Sequence, residues 1–124
     1  MAARILIIED NAANLDLMAY LLRAYGHTVI SASDGETGIT AAREARADLV
    51  LCDIQLPDIG GAEVMDRLRS DPATAGTPIV AVTALAMVGD RESILAAGFD
   101  GYLAKPITPE TFGRQVEAFL RREG

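Results

Sequence analysis

Five short apolar runs recur along the chain at near-regular intervals: RILII (4–8), TVISA (28–32), LVLC (49–52), PIVAV (78–82) and GYLA (101–104). Three of them are rich in Ile and Val and flanked by turn or polar residues, which reads as strand. Between the runs the apolar spacing changes. Leu15, Met18, Ala19 and Leu22 fall at i, i+3, i+4 and i+7, the stripe of an amphipathic helix, and Gly26 follows as its C-terminal stop. Phe112, Val116, Phe119 and Leu120 form a second stripe, opened by Thr108 as N-cap and Pro109 at the first helical position. Strand and helix therefore alternate five times. Such alternation predicts a doubly wound α/β domain: a five-stranded parallel sheet covered by helices on both faces, with right-handed crossovers.

The 124 residues suffice for one domain with a real core, and no run approaches the ~20 apolar residues of a membrane span. MAARILIIED is not a signal peptide, so no membrane insertion is expected. The lone Cys52 excludes an internal disulfide and reads as an inert core thiol, consistent with a cytoplasmic protein. Eighteen acids against 11 bases give a net charge of −7, a field that repels nucleic acid and anionic membrane. With no Trp there is also little to stack on bases, so direct nucleic-acid binding is not expected.

In doubly wound sheets ligands bind beyond the carboxyl ends of the strands. Glu9 and Asp10 follow the first run, Asp53 the third, Thr83 the fourth and Lys105-Pro106 the fifth. Singly each has a bland reading: Asp10 could cap the first helix, Thr83 a turn, and Lys105 could be a surface charge. Together they lie on one sheet edge. Three converging carboxylates resist ionising, and a hard divalent cation such as Mg²⁺ relieves that repulsion while keeping positions for phosphoryl oxygens. Lys105 and the Thr83 hydroxyl suit the remaining oxygens, and a carboxylate so placed can become an aspartyl phosphate.

The set Glu9-Asp10, Asp53, Thr83-Ala84 and Lys105-Pro106 resembles the receiver domains of two-component response regulators over essentially the whole chain, residues 1–124. VAVTALAMVGD with GYLAKPI is most similar to stand-alone receivers of the DivK type. The resemblance implies the flavodoxin-like receiver fold with strand order 2-1-3-4-5. It implies that Asp53 accepts a phosphoryl group from a phosphohistidine on a sensor histidine kinase or histidine phosphotransfer protein. Asp10 and Asp53 would bind Mg²⁺, with the backbone carbonyl of Gln55 and with Glu9 partly through water. Thr83 and Lys105 would contact phosphoryl oxygens, and the Lys105–Pro106 peptide would be cis. Tyr102 would be the switch aromatic, its bland alternative being a half-buried strand residue, and the readout would be a downstream protein target. Gln55 and Leu85 occupy positions that tune phosphoryl lifetime in that family.

Some positions depart from the pattern or read plainly. Gly60, where the family often has Asp, Asn or Ser, predicts a weaker cap for the third helix. His27 reads as a solvated turn residue. The apolar stretch from Ala84 to Val88 reads as a core-facing helix start or as a partner-binding patch. The chain stops just past its fifth helix, leaving no room for an output module, and Met1 three residues before the first strand favours a natural start. Output is therefore expected through protein–protein contact or phosphoryl relay, in a signalling phosphoacceptor rather than an enzyme. A receiver excised from a hybrid histidine kinase would read the same way. A Mg²⁺-dependent phosphohydrolase with an Asp nucleophile would want a second Asp where Gln55 stands. A flavodoxin-like electron carrier would want a hydroxyl- and Gly-rich loop where EDN stands. A structural adaptor would not need the complete acidic, Thr and Lys set.

Overall fold

The computed structural model describes residues 2–84 and 88–121. Its strands are β1 (Arg4–Ile8), β2 (Thr28–Ala32), β3 (Leu49–Asp53), β4 (Ile79–Thr83) and β5 (Gly101–Ala104). The helices are α1 (Ala12–Ala24), α2 (Gly35–Ala45), α3 (Gly61–Arg69), α4 (Val88–Ala96) and α5 (Pro109–Arg121). All four strand pairings are parallel, and the order across the sheet is β2-β1-β3-β4-β5. The expected doubly wound architecture and strand order are thus present.

Alternation along the strands divides the core in two. Ile5, Ile7, Leu49, Leu51, Val80, Val82 and Leu103 pack with Met18 and Leu22 of α1 and with Phe112, Val116 and Leu120 of α5. Leu6, Ile8, Val50, Cys52, Ile79 and Ala81 pack with Ile39 of α2, Met65 and Leu68 of α3 and Ile94 of α4. Because successive side chains leave opposite faces, a strand buried on both faces must be apolar throughout. Every residue of β3 and β4 is buried. Burial pushes the Cys52 thiol up to about 12, as an inert core thiol requires.

Four local details refine the reading. Both β3 and β4 end one residue later than the apolar runs, so Asp53 and Thr83 are the last residues of their strands. Pro78 stays outside β4 because it lacks an N–H for the ladder, yet its carbonyl accepts from the Val50 amide at 3.0 Å. Helix α1 is capped by Asn11 rather than Asp10: its side chain accepts from the Asn14 amide at 2.9 Å. His27, expected in solvent, is only 4% exposed. Its Nδ1 accepts from the Ala3 amide at 3.0 Å, and Nε2 lies 2.5 Å from Glu117 Oε2. The start of β1 and α5 together close over the turn; an accepting Nδ1 leaves the proton on Nε2, which donates to Glu117.

Candidate functional site

The parallel register brings the ends of β1, β3, β4 and β5 to one edge. Ile8 pairs with Cys52, Asp53 with Val82, and Thr83 with Ala104. One residue beyond β1 lies Glu9 and one beyond β5 lies Lys105, whose amide donates to the Thr83 carbonyl at 2.9 Å. The Lys105–Pro106 peptide is cis, as expected. Residues separated by most of the chain therefore meet because adjacent strands stop together.

Lys105 stands between two carboxylates. Its Nζ donates to Asp53 Oδ2 at 3.0 Å and lies 2.9 Å from Glu9 Oε1. The Glu9 contact is close but poorly aligned, so Oε1, fully buried, is charge-paired without a directed hydrogen bond. The other Glu9 oxygen accepts from the Asn11 amide at 3.1 Å, and Asp53 Oδ1 accepts from the Gln55 amide at 3.0 Å. Glu9 is 1% exposed and Asp53 6%, whereas Asp10 is exposed at the rim. Thr83 is buried at 2% exposure. Carboxylate oxygens of Glu9, Asp10 and Asp53 lie within 4.8 Å of one another.

The electrostatics follow from burial. Desolvation raises the Glu9 carboxyl above its ordinary 4.5, against the opposing pull of Lys105 and the Asn11 amide. Burial alone would lower Lys105, but its contacts with Glu9 and Asp53 outweigh it and the net direction is up. A carboxyl with a higher pKa folded than unfolded holds protons more tightly when folded. Its contribution to stability therefore improves as pH falls from neutrality through the raised value. Metal-free wild type is expected to gain stability relative to Glu9→Gln as pH is lowered, read from denaturant midpoints. A pH-independent difference would contradict this assignment.

The site fits a hard divalent cation. Its donors are oxygens, three are carboxylates in mutual reach, and one buried carboxylate oxygen lacks an aligned donor. Gln55, the remaining expected contributor, is exposed next to the site. Tyr102 is half-buried on β5, with the Arg91 guanidinium 5.3 Å from its ring centroid. The start of α4 is where Ala84–Val88 was expected to matter, and Leu85, Ala86 and Met87 lie outside the described residues.

A family model for the response regulator receiver domain matches residues 5–117. The chain belongs to that family. It is 39% identical over 120 residues to the polar-differentiation response regulator DivK of Brucella anthropi, a match covering 97% of this chain and 98% of DivK. Among solved structures, the chemotaxis response regulator CheY4 of Vibrio cholerae superposes with a TM-score of 0.90 at 26% identity, covering 96% of this chain and 99% of CheY4. The receiver domain of the sensor histidine kinase PA1611 from Pseudomonas aeruginosa gives a TM-score of 0.87 at 33% identity, covering 98% of this chain and 99% of that domain. That domain was solved with a magnesium ion coordinated in its active-site cleft. The protein is thus a DivK-like receiver of two-component signalling, and receivers of this kind are signalling proteins rather than classical enzymes. No helix among the described residues is long and apolar enough to cross a membrane.

Sequence reasoning missed one contributor to this edge. Asp58, in the loop from β3 to α3, accepts from the Gly35 amide through Oδ1 at 2.8 Å and from the Glu36 amide through Oδ2 at 2.9 Å. Its only sequence signal is an acid after Pro57. An open depression lined by Arg43, Asp66, Arg67, Ser70, Asp71 and Pro72 sits at the carboxyl ends of α2 and α3, the opposite edge of the sheet, and has no part in the site.

Proposed function

We propose that this receiver, taken as a single domain over residues 1–124, accepts a phosphoryl group on Asp53 from a phosphohistidine of a sensor histidine kinase or histidine phosphotransfer protein. The observation that carries the reading is the ion pair of Lys105 Nζ with Asp53 Oδ2 at 3.0 Å, made beside two further carboxylates. It fixes the acceptor in place while presenting a cation to incoming phosphoryl oxygens. An Asp53 oxygen forms the new P–O bond as the donor's P–N bond breaks, and the imidazole nitrogen leaves with the electron pair. Thr83, at the end of the neighbouring strand, and Lys105 take the phosphoryl oxygens. Glu9, Asp10, Asp53 and the backbone carbonyl of Gln55 would hold Mg²⁺, which when bound neutralises charge on the acids and on the transferred group. Phosphorylation of Asp53 adds charge and acceptor oxygens beside Thr83, and Tyr102 on the adjoining strand carries that change to a downstream protein target. We place the protein in the cytoplasm, a reading supported by its single buried thiol.

The direct test is incubation with a small acyl phosphate and Mg²⁺, read as intact mass. One acid-stable, base-labile phosphoryl adduct is expected on the wild type and none on Asp53→Asn or without metal. Continuous hydrolysis of the donor without an adduct would favour the phosphohydrolase reading instead. Mg²⁺ is also expected to raise the melting temperature of the wild type and barely that of Asp10→Asn, since a ligand that binds the native state alone stabilises it. Equal shifts would mean the acids do not form the metal site.

A further inference from the structure

The loop carrying the acceptor packs Ile54, Leu56 and Ile59 against the core, while its polar tip reaches toward α2. Gly60, at the N-cap of α3, makes no side-chain cap, and only its carbonyl ties it to the helix, accepting from the Glu63 and Val64 amides at 3.1 Å. The loop is closed by the Gly61 amide on the Ile54 carbonyl at 2.9 Å, and beyond that it leans on α2. Asp58 places one oxygen on each of the first two amides of α2, those of Gly35 and Glu36. Beside that contact, a Cβ at Gly35 would fall 2.4 Å from Ile59 Cγ1, so the Ile59 side chain of the loop is seated directly against the helix start. Those amides have no intrahelical partner, and a negative charge there is also favoured by the helix dipole. They hold the Asp58 carboxyl down at about 2, so the clamp stays charged throughout the neutral range. Asp34 caps α2 from within its own chain segment, donating no tie to the loop: its side chain accepts from the Thr37 amide at 2.7 Å.

We infer that Asp58 is a positioning residue for phosphoryl acceptance: its two-pronged hold on the amides of Gly35 and Glu36 fixes residues 54–60, and so the backbone of Gln55 and the orientation of Asp53. The connection to the acceptor is short, since the Gln55 amide donates to Asp53 Oδ1 at 3.0 Å. A loop free to drift loses that bond and the setting of the acceptor with it. This inference rests on the phosphoacceptor reading above.

The test compares wild type, Asp58→Ala and Asp58→Asn in saturation kinetics of adduct formation from a small acyl phosphate with Mg²⁺. Asp58→Ala is expected to lower the maximal rate about tenfold, a modest share of the ~100-fold that an ångström of misplacement can cost, with the half-saturating donor concentration unchanged. Asp58→Asn keeps an acceptor oxygen and is expected to recover part of the rate. In parallel, backbone hydrogen exchange should quicken at Gly35, Glu36 and residues 54–60 in Asp58→Ala while the strands keep their protection. An unchanged maximal rate would overturn the inference, as would a rate loss accompanied by faster exchange across the whole sheet. If the wild type forms no adduct, the phosphoacceptor reading fails, and the exchange arm alone decides the clamp: unchanged exchange at residues 54–60 would remove it.

Discussion

Gly61→Ala is expected to destabilise the protein by about 3 kcal/mol, the upper range for overpacking a filled site, while Gly60→Ser one position earlier is expected to stabilise it by roughly a few tenths of a kcal/mol. A Cβ on Gly61 would sit 2.8 Å from the Ile54 Cα and 2.9 Å from the Asp53 carbonyl oxygen. Those are backbone atoms, which cannot swing aside as the end of a side chain can. The main chain just after the acceptor has to move, so Gly61→Ala should also slow adduct formation on Asp53. At Gly60 the nearest atom to a Cβ is the Ile54 carbonyl oxygen at 3.9 Å, and φ −72 with ψ 160 already suits an N-cap. A serine hydroxyl there would supply the cap that α3 lacks. Urea or guanidinium melts of both variants settle the matter, and effects of the same sign would refute it.

Lys105→Ala is expected to cost about 3 kcal/mol in the absence of divalent cations, the low end for removing one partner of a buried charge pair, because Lys105 itself retains some exposure. Its removal leaves Glu9 and Asp53, both nearly fully buried, facing each other without the cation that now lies 2.9 and 3.0 Å from them. Mg²⁺ should then stabilise Lys105→Ala more than it stabilises the wild type, since metal and ammonium offset the same repulsion. Denaturant melts with and without Mg²⁺ measure both quantities. A variant as stable as the wild type, or equal metal increments, would show that the ion pairs contribute little.

The sheet and its binding edge were legible because parallel strands buried on both faces must be continuous apolar runs, and the residue ending each run is then placed by topology. Glu9, Asp10, Asp53, Thr83 and Lys105 were all found that way. The boundaries were read one residue short at Asp53 and Thr83 because polar residues ending a buried strand look, in sequence, like the loop that follows. His27 was misread because what buries it comes from Ala3 and Glu117, at the two ends of the sequence. Asp58 was invisible for a related reason. Its partners are main-chain amides 22 and 23 residues upstream, which line up to donate to one carboxylate only once the helix start has formed. Side-chain patterns carry no trace of them.

The spacing of the two ion pairs along the chain also bears on biosynthesis. Lys105 lies 52 residues after Asp53. At roughly 5–20 residues per second on the ribosome, a growing chain holds Glu9 and Asp53 for about 3–10 s before their cation has been made. The site therefore cannot be charge-balanced until β5, the last strand to be made, has docked against β4.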